Sequence, residues 1–217
     1  VFEGNNATFG SAIYDEGGMI TVNNCTFNDN AAVGIGSSGT ENTQGAAILV
    51  MRDDTSAKIT NSKFNRNSAK VGGAISLAGV AEDSIIDNCT FIGNVAEIDG
   101  GAVYLWSDDA KVTVTDSEFI DNTAIYGGAI ENEGVGDLVV DGCAFVENTA
   151  SLRGGAIISS GNTSVSNSVF ENNEALGNTN AIYLYNDNTT LALSNNTITG
   201  SNEAQIYVRD GIEVKTP

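Results

Sequence analysis

At 217 residues the chain has the length of one domain or two, but its single proline is Pro217 and its glycines are evenly spread, so residues 1–217 are expected to form one continuous unit. Nine Lys and Arg against 28 Asp and Glu give a net charge of −19, a field that repels nucleic-acid phosphates and anionic lipid and draws in cations and basic partners. The absence of histidine removes the commonest general base and metal ligand and leaves carboxylates, Lys, Tyr or Cys for any chemistry.

The opening stretch VFEGNNATFG has neither the basic start nor the apolar run of a signal peptide, and no apolar run reaches bilayer length; the chain reads as a segment of a longer protein. From there one phrase, Phe-x-x-Asn-x-Ala, recurs with its Phe at 2, 27, 64, 91, 119, 145 and 170, and a faded copy follows at Ile198. Apart from the step across residues 27–64, successive copies are 25–28 residues apart. A second phrase keeps step, an Ala followed by Ile or Val at Ala12, Ala47, Ala74, Ala102, Ala129, Ala156 and Ala181, in most copies behind a Gly-Gly pair.

Between the two phrases lie alternating stretches such as VTVTDSEF, rich in β-branched residues and bounded by Asn, Asp, Gly and Ser turns. About three short strands per period, with no helical pattern, predict a three-sided, right-handed parallel β-helix of about 25–28 residues per coil. Coils would stack at roughly 4.8 Å and line up equivalent side chains in ladders. A buried ladder is expected from Phe27, Phe64, Phe91, Phe119, Phe145 and Phe170. A second is expected from Asn30, Asn67, Asn94, Asn122, Asn148 and Asn173, each turning a corner with left-handed backbone while its amide bonds along the axis. Two residues before each Phe the slot alternates Cys25, Ser62, Cys89, Ser117, Cys143, Ser168, which separates the thiols by two coils, too far for a disulfide. They are expected to be reduced and buried.

With Phe-x-x-Asn and Gly-Gly-Ala-Ile/Val in register over nearly the whole chain, the sequence resembles the passenger repeats of the chlamydial polymorphic outer membrane proteins and the adhesin-like surface proteins of methanogenic archaea. The resemblance implies an extracellular, cell-surface β-helix segment that adheres to a host or neighbouring-cell surface protein or glycan, with no catalytic residues to transfer. The Gly pair is incomplete at Gly10-Ser11, Gly45-Ala46 and Thr179-Asn180, and the last coils, 198–217, are degenerate.

If the Ile or Val after each Ala points inward, alternate residues point out: Tyr14/Glu16, Leu49/Met51, Ser76/Ala78, Tyr104/Trp106, Glu131/Glu133, Ile158/Ser160 and Tyr183/Tyr185. Tyr104, Trp106, Tyr183 and Tyr185 are therefore candidate ligand contacts, although the same rings would also serve cross-strand packing. Arg52, Asp53 and Asp54 join them because they follow the one long insertion, the loop at 33–44, although a tolerated insertion without a role is the simpler reading of that loop. No metal ligands are assigned and no cofactor is expected; calcium is the one ion that the acidic turns Asp15/Glu16, Asp53/Asp54, Glu82/Asp83 and Asp108/Asp109 leave room for, if they are not simply solvated. Asn-x-Ser/Thr sequons at Asn6, Asn24, Asn88, Asn162, Asn188 and Asn195 permit glycosylation. The rival to a binding role is a polysaccharide lyase or glycoside hydrolase. The outward slots Thr21, Lys58, Ile85, Thr113, Val139, Ser164 and Ala192 offer it no carboxylate pair, and no converging acid pair is expected elsewhere.

Overall fold

The computed structural model describes every residue except 35–42, 53–54, 81–82, 178–180, 188, 201–204, 211 and 217. Among the described residues there is no helix: short strands stack into four parallel sheets, three of eight strands and one of seven. One coil runs through Thr90–Ile92, Val95–Asp99, Val103–Trp106 and Val112–Thr115 before Glu118–Ile120 returns to the first sheet. The coil thus has four strands where the sequence pattern suggests three. The additional one follows the ladder Asn, where the interval up to the Gly pair is too short and too polar to stand out as a strand.

The apolar interior explains why one phrase must recur. Phe27, Phe64, Phe91, Phe119, Phe145 and Phe170 are in register on successive strands. Their rings stack with centroids 4.7–4.9 Å apart and planes within 7° of parallel. All six are fully buried. A coil one ring thick cannot enclose its own apolar surface, so each ring depends on the rings above and below. Opposite them, Ile48, Ile75, Val103, Ile130, Ile157 and Ile182 close the other side of the same core.

The ladder asparagines are buried and bonded along the axis: Asn94 Nδ2 donates to Asn122 Oδ1 at 3.0 Å and to the Phe64 carbonyl at 3.0 Å, and Asn122 Nδ2 donates to Asn148 Oδ1 at 2.9 Å. They do not supply the left-handed corner, however. That conformation belongs to the residue before each of them, Asp29, Arg66, Gly93, Asp121, Glu147 and Asn172, with φ of 51–62°. An Asn locked in two side-chain bonds fixes the corner by hydrogen bonding, and the exposed residue ahead of it bends. A second row of left-handed residues, including Asn24, Asn61, Asn88, Asp116, Asn167 and Asn195, turns the chain just before the Cys/Ser slot. Sequons Asn6, Asn24, Asn88, Asn162 and Asn195 are exposed, and Asn188 lies outside the described residues.

Cys89 and Cys143 are buried and Cys25 is half-buried, all three free. Burial pushes the Cys89 thiol up to about 11 and the Cys143 thiol up to about 12. Each ladder thiol donates to the carbonyl two residues before it, as the intervening serines do: Cys89 Sγ to Asp87 O at 3.3 Å, Ser117 Oγ to Thr115 O at 2.7 Å.

Candidate functional site

The Gly pair makes a sharp bend between the second and third sheets. Gly100 has φ of 60°, and a Cβ there would run into the Val103 carbonyl oxygen; a Cβ on Gly101 would strike the Gly128 carbonyl of the next coil. Because of this bend the last residues of the second sheet stand beside the outer face of the third. They form their own row, Phe9, Gln44, Val71, Asp99, Tyr126 and Arg153, paired coil to coil. The row touches the outward side chains of the third sheet: Phe9 packs on Tyr14 with centroids 6.5 Å apart, Ser76 Oγ donates to Gln44 Oε1 at 3.3 Å, Asp99 and Glu131 share a hydrogen bond, and the Arg153 guanidinium lies 5.2 Å from the Tyr183 ring centre.

This wall overturns the expectation that the outward slots are open. Leu49, Ser76, Tyr104, Glu131, Ile158 and Tyr183 point away from the core yet are buried, none more than 9 % exposed. Tyr104 donates its hydroxyl to Glu133 Oε2, and burial together with that bond and the nearby acids raises its pKa. Tyr183 is capped by Tyr207, stacked 4.6 Å away, and by Arg153. Tyr104 and Tyr183 are three strands apart with Glu131 and Ile158 between them, about 14 Å along the axis, so the four candidate aromatics are not one patch. Of the four candidates only the two in the next slot along remain accessible: Trp106 is 52 % exposed and Tyr185 is half-buried.

Among the described residues, a cavity lies beside each of these two rings. The larger, about 530 Å³, is lined by Met51, Arg52, Ala78, Trp106, Asp108 and Asp109 among others. Arg52 has φ of 113°, a strained value for a residue with a side chain, and pairs with Glu16 at 3.4 Å, whose other oxygen accepts from the Tyr14 hydroxyl. Asp53 and Asp54, offered with Arg52 as contacts, lie outside the described residues, as do residues 35–42 of the insertion. Among the described residues no group of three or more acids or thiols is placed to hold a metal ion. Of the acidic turns, Glu16 is bound to Arg52 and Asp83 to Lys111 at 3.4 Å, while Glu82 lies outside the described residues.

The second cavity, about 230 Å³, is lined by Asp99, Tyr126 and Arg153 on the wall, Glu131 and Ile158 on the floor, and Glu133 and Tyr185 opposite. Three carboxylates therefore do converge, contrary to the expectation from the sequence. Glu131 is 5 % exposed, and its Oε2 is shut off from solvent without a hydrogen-bond partner. Burial, then the charges of Asp99 and Glu133, push its carboxyl up to about 10, so at neutral pH it is an acid that donates to Asp99. Asp99 is itself raised by burial, and Tyr185 likewise. Glu131 and Glu133 were visible as outward slots, but Asp99 belongs to a strand that the three-sided pattern does not contain. The signal that would have found it is the residue immediately before each bend glycine, which reads Asp99, Tyr126, Arg153 in consecutive coils.

No curated protein and no solved structure matches the chain. The family model described as the right-handed β-helix region matches residues 46–215, the span that carries six of the seven Ala-Ile/Val phrases and five of the seven Phe-x-x-Asn-x-Ala phrases, and the chain belongs to that family.

Proposed function

We propose that this β-helix is an adhesin-like segment of an extracellular surface protein, which binds a protein or glycan on a host or neighbouring cell and does not cut it. The observation that carries this is Trp106: a large ring more than half exposed at the mouth of a cleft, flanked by Met51 and Ala78 and by the charged groups Arg52, Asp108 and Asp109. An exposed Trp beside an apolar floor and polar rim is the composition of an interface hot spot. Calcium is kept as a proposal for the acidic turns alone.

Trp106→Ala is expected to weaken binding of the partner found on a glycan and cell-surface-protein array at least about tenfold, with the melting temperature nearly unchanged. The change is made at Trp106 alone, because Tyr104 is buried and its loss would destabilise the coil. Unaltered affinity would move the contact elsewhere. Hydrolysis of a glycosidic bond is the second reading, favoured by the convergence of Asp99, Glu131 and Glu133; it is checked by release of reducing ends from a polysaccharide panel.

A further inference from the structure

The three carboxylates of the smaller cavity share its lining with one cation, Arg153, but none is paired with it. Of the ion pairs among the described residues none includes Asp99, Glu131 or Glu133. The nearest cation, Arg153, is exposed and engaged with the Tyr183 ring. A buried acid cluster serving only the fold would be expected to carry its own counter-charge, because uncompensated burial of this kind is costly. Here Glu131 is neutralised by a proton instead, with one oxygen left unbonded and shut off from solvent. Around it stand two more accessible carboxylates, Asp99 and Glu133, and the rings of Tyr126 and Tyr185 above the apolar side chain of Ile158.

We propose that this cavity binds the primary ammonium group of a lysine side chain on a protein partner. The assignment rests on the binding role proposed above and names the chemistry that the face accepts. Asp99 and Glu133 supply the direct acceptors, Ile158 and the tyrosine rings take the methylene stem, and a cation beside aromatic faces gains further. Glu131 acts from behind: once an ammonium occupies the cavity, its carboxyl is better ionised than protonated, so binding expels one proton to solvent. A bare metal ion is a poorer occupant, because no three of these ligands are placed around one point. The net charge of −19 steers basic surfaces toward the site. Hydrolysis fits less well, since the Glu131 proton is held in the bond to Asp99 and its other oxygen, Oε2, is closed off from solvent, so neither is free to reach a glycosidic oxygen.

The test titrates Nα-acetyl-lysine methylamide into the whole chain by NMR, following the Ile158 methyls and the tyrosine rings. The Nε-acetylated analogue and glucosamine are titrated in parallel. Saturable shifts with the lysine probe only are expected. Affinity should rise about tenfold per pH unit from pH 6 to 8, with one proton released in calorimetry; the titratable groups facing the probe are Asp99, Glu131, Glu133, Tyr104, Tyr126, Tyr185 and Arg153. Glu133→Gln should lower affinity at least about tenfold, Glu131→Gln should abolish the proton release, and Trp106→Ala should change neither. Since the small probe does not contact Trp106, failure of the lysine site and failure of the adhesive cleft are separately visible. Equal binding of the acetylated analogue, tighter binding of glucosamine, absence of shifts, or release of reducing ends would each overturn the assignment.

Discussion

Replacing Glu131 by Gln keeps the shape of the side chain and removes only its capacity to ionise, so it isolates the consequence of burying that group. In the folded protein its pKa is raised to about 10, against about 4.3 in an unfolded chain. Between those values the native state holds a proton that the unfolded state has released. Stability therefore falls as pH rises, by roughly 1–1.5 kcal/mol per pH unit, and the penalty stops growing only above the folded pKa. Between pH 6 and 8 the wild type should lose about 2–3 kcal/mol relative to Glu131→Gln. Asp99 shares a hydrogen bond with Glu131 and is also raised, so the pair titrates together and the wild-type slope belongs to both; the variant removes the larger share. Urea unfolding of both proteins at pH 6, 7 and 8 measures the difference. Stabilities that run parallel across that range would show that Glu131 is ionised in the native state and that the cavity is wetter than described.

Phe119→Ala removes a ring stacked at 4.7 and 4.8 Å on its two neighbours and should cost about 3–5 kcal/mol in denaturant unfolding; a loss under about 1 kcal/mol would take Phe119 out of the core. Thiol labelling at pH 8 should be slow at Cys89 and Cys143, which are buried with raised pKa values, faster at half-buried Cys25, and complete at all three after denaturation. Rapid native labelling of Cys89 would contradict its place in the ladder.

The solenoid was legible because its constraints are repeated. A Phe that must stack on a Phe returns at each coil, and no other fold asks for that. The Asn ladder was legible for the same reason, but its conformational role was misplaced by one residue, since Asn is the residue expected at φ > 0 and here Asp29, Arg66, Asp121 and Glu147 take that conformation instead. The face was legible only in its alternation. Period-two patterning tells which side of a strand a residue leaves from, not what stands opposite, and the wall built by Asp99, Tyr126 and Arg153 comes from a strand of two to five residues with no apolar alternation of its own. For that reason Tyr104 and Tyr183 were taken for surface and the acid cluster was missed, while Trp106, one slot further from the wall, is exposed.

The Asn ladder has a bearing on how such a chain can change length. Each ladder amide takes two donors from one neighbour and gives its own to the other: Asn94 Oδ1 accepts from the Asn67 backbone N–H at 3.0 Å and from its Nδ2 at 2.9 Å, and Asn94 passes the same pattern on to Asn122. All the amides point the same way along the axis. Adding or deleting one whole coil restores the pairing at the junction, because any ladder Asn presents the same donors and acceptor as any other. Altering a single Asn within a coil leaves two buried donors of its neighbour stranded, at about 1–3 kcal/mol each. Growth and shrinkage by genetic duplication or loss of complete repeats is thus nearly neutral for this column, while gradual drift at one position is resisted, and loops are free to lengthen only at corners that the column does not pass through.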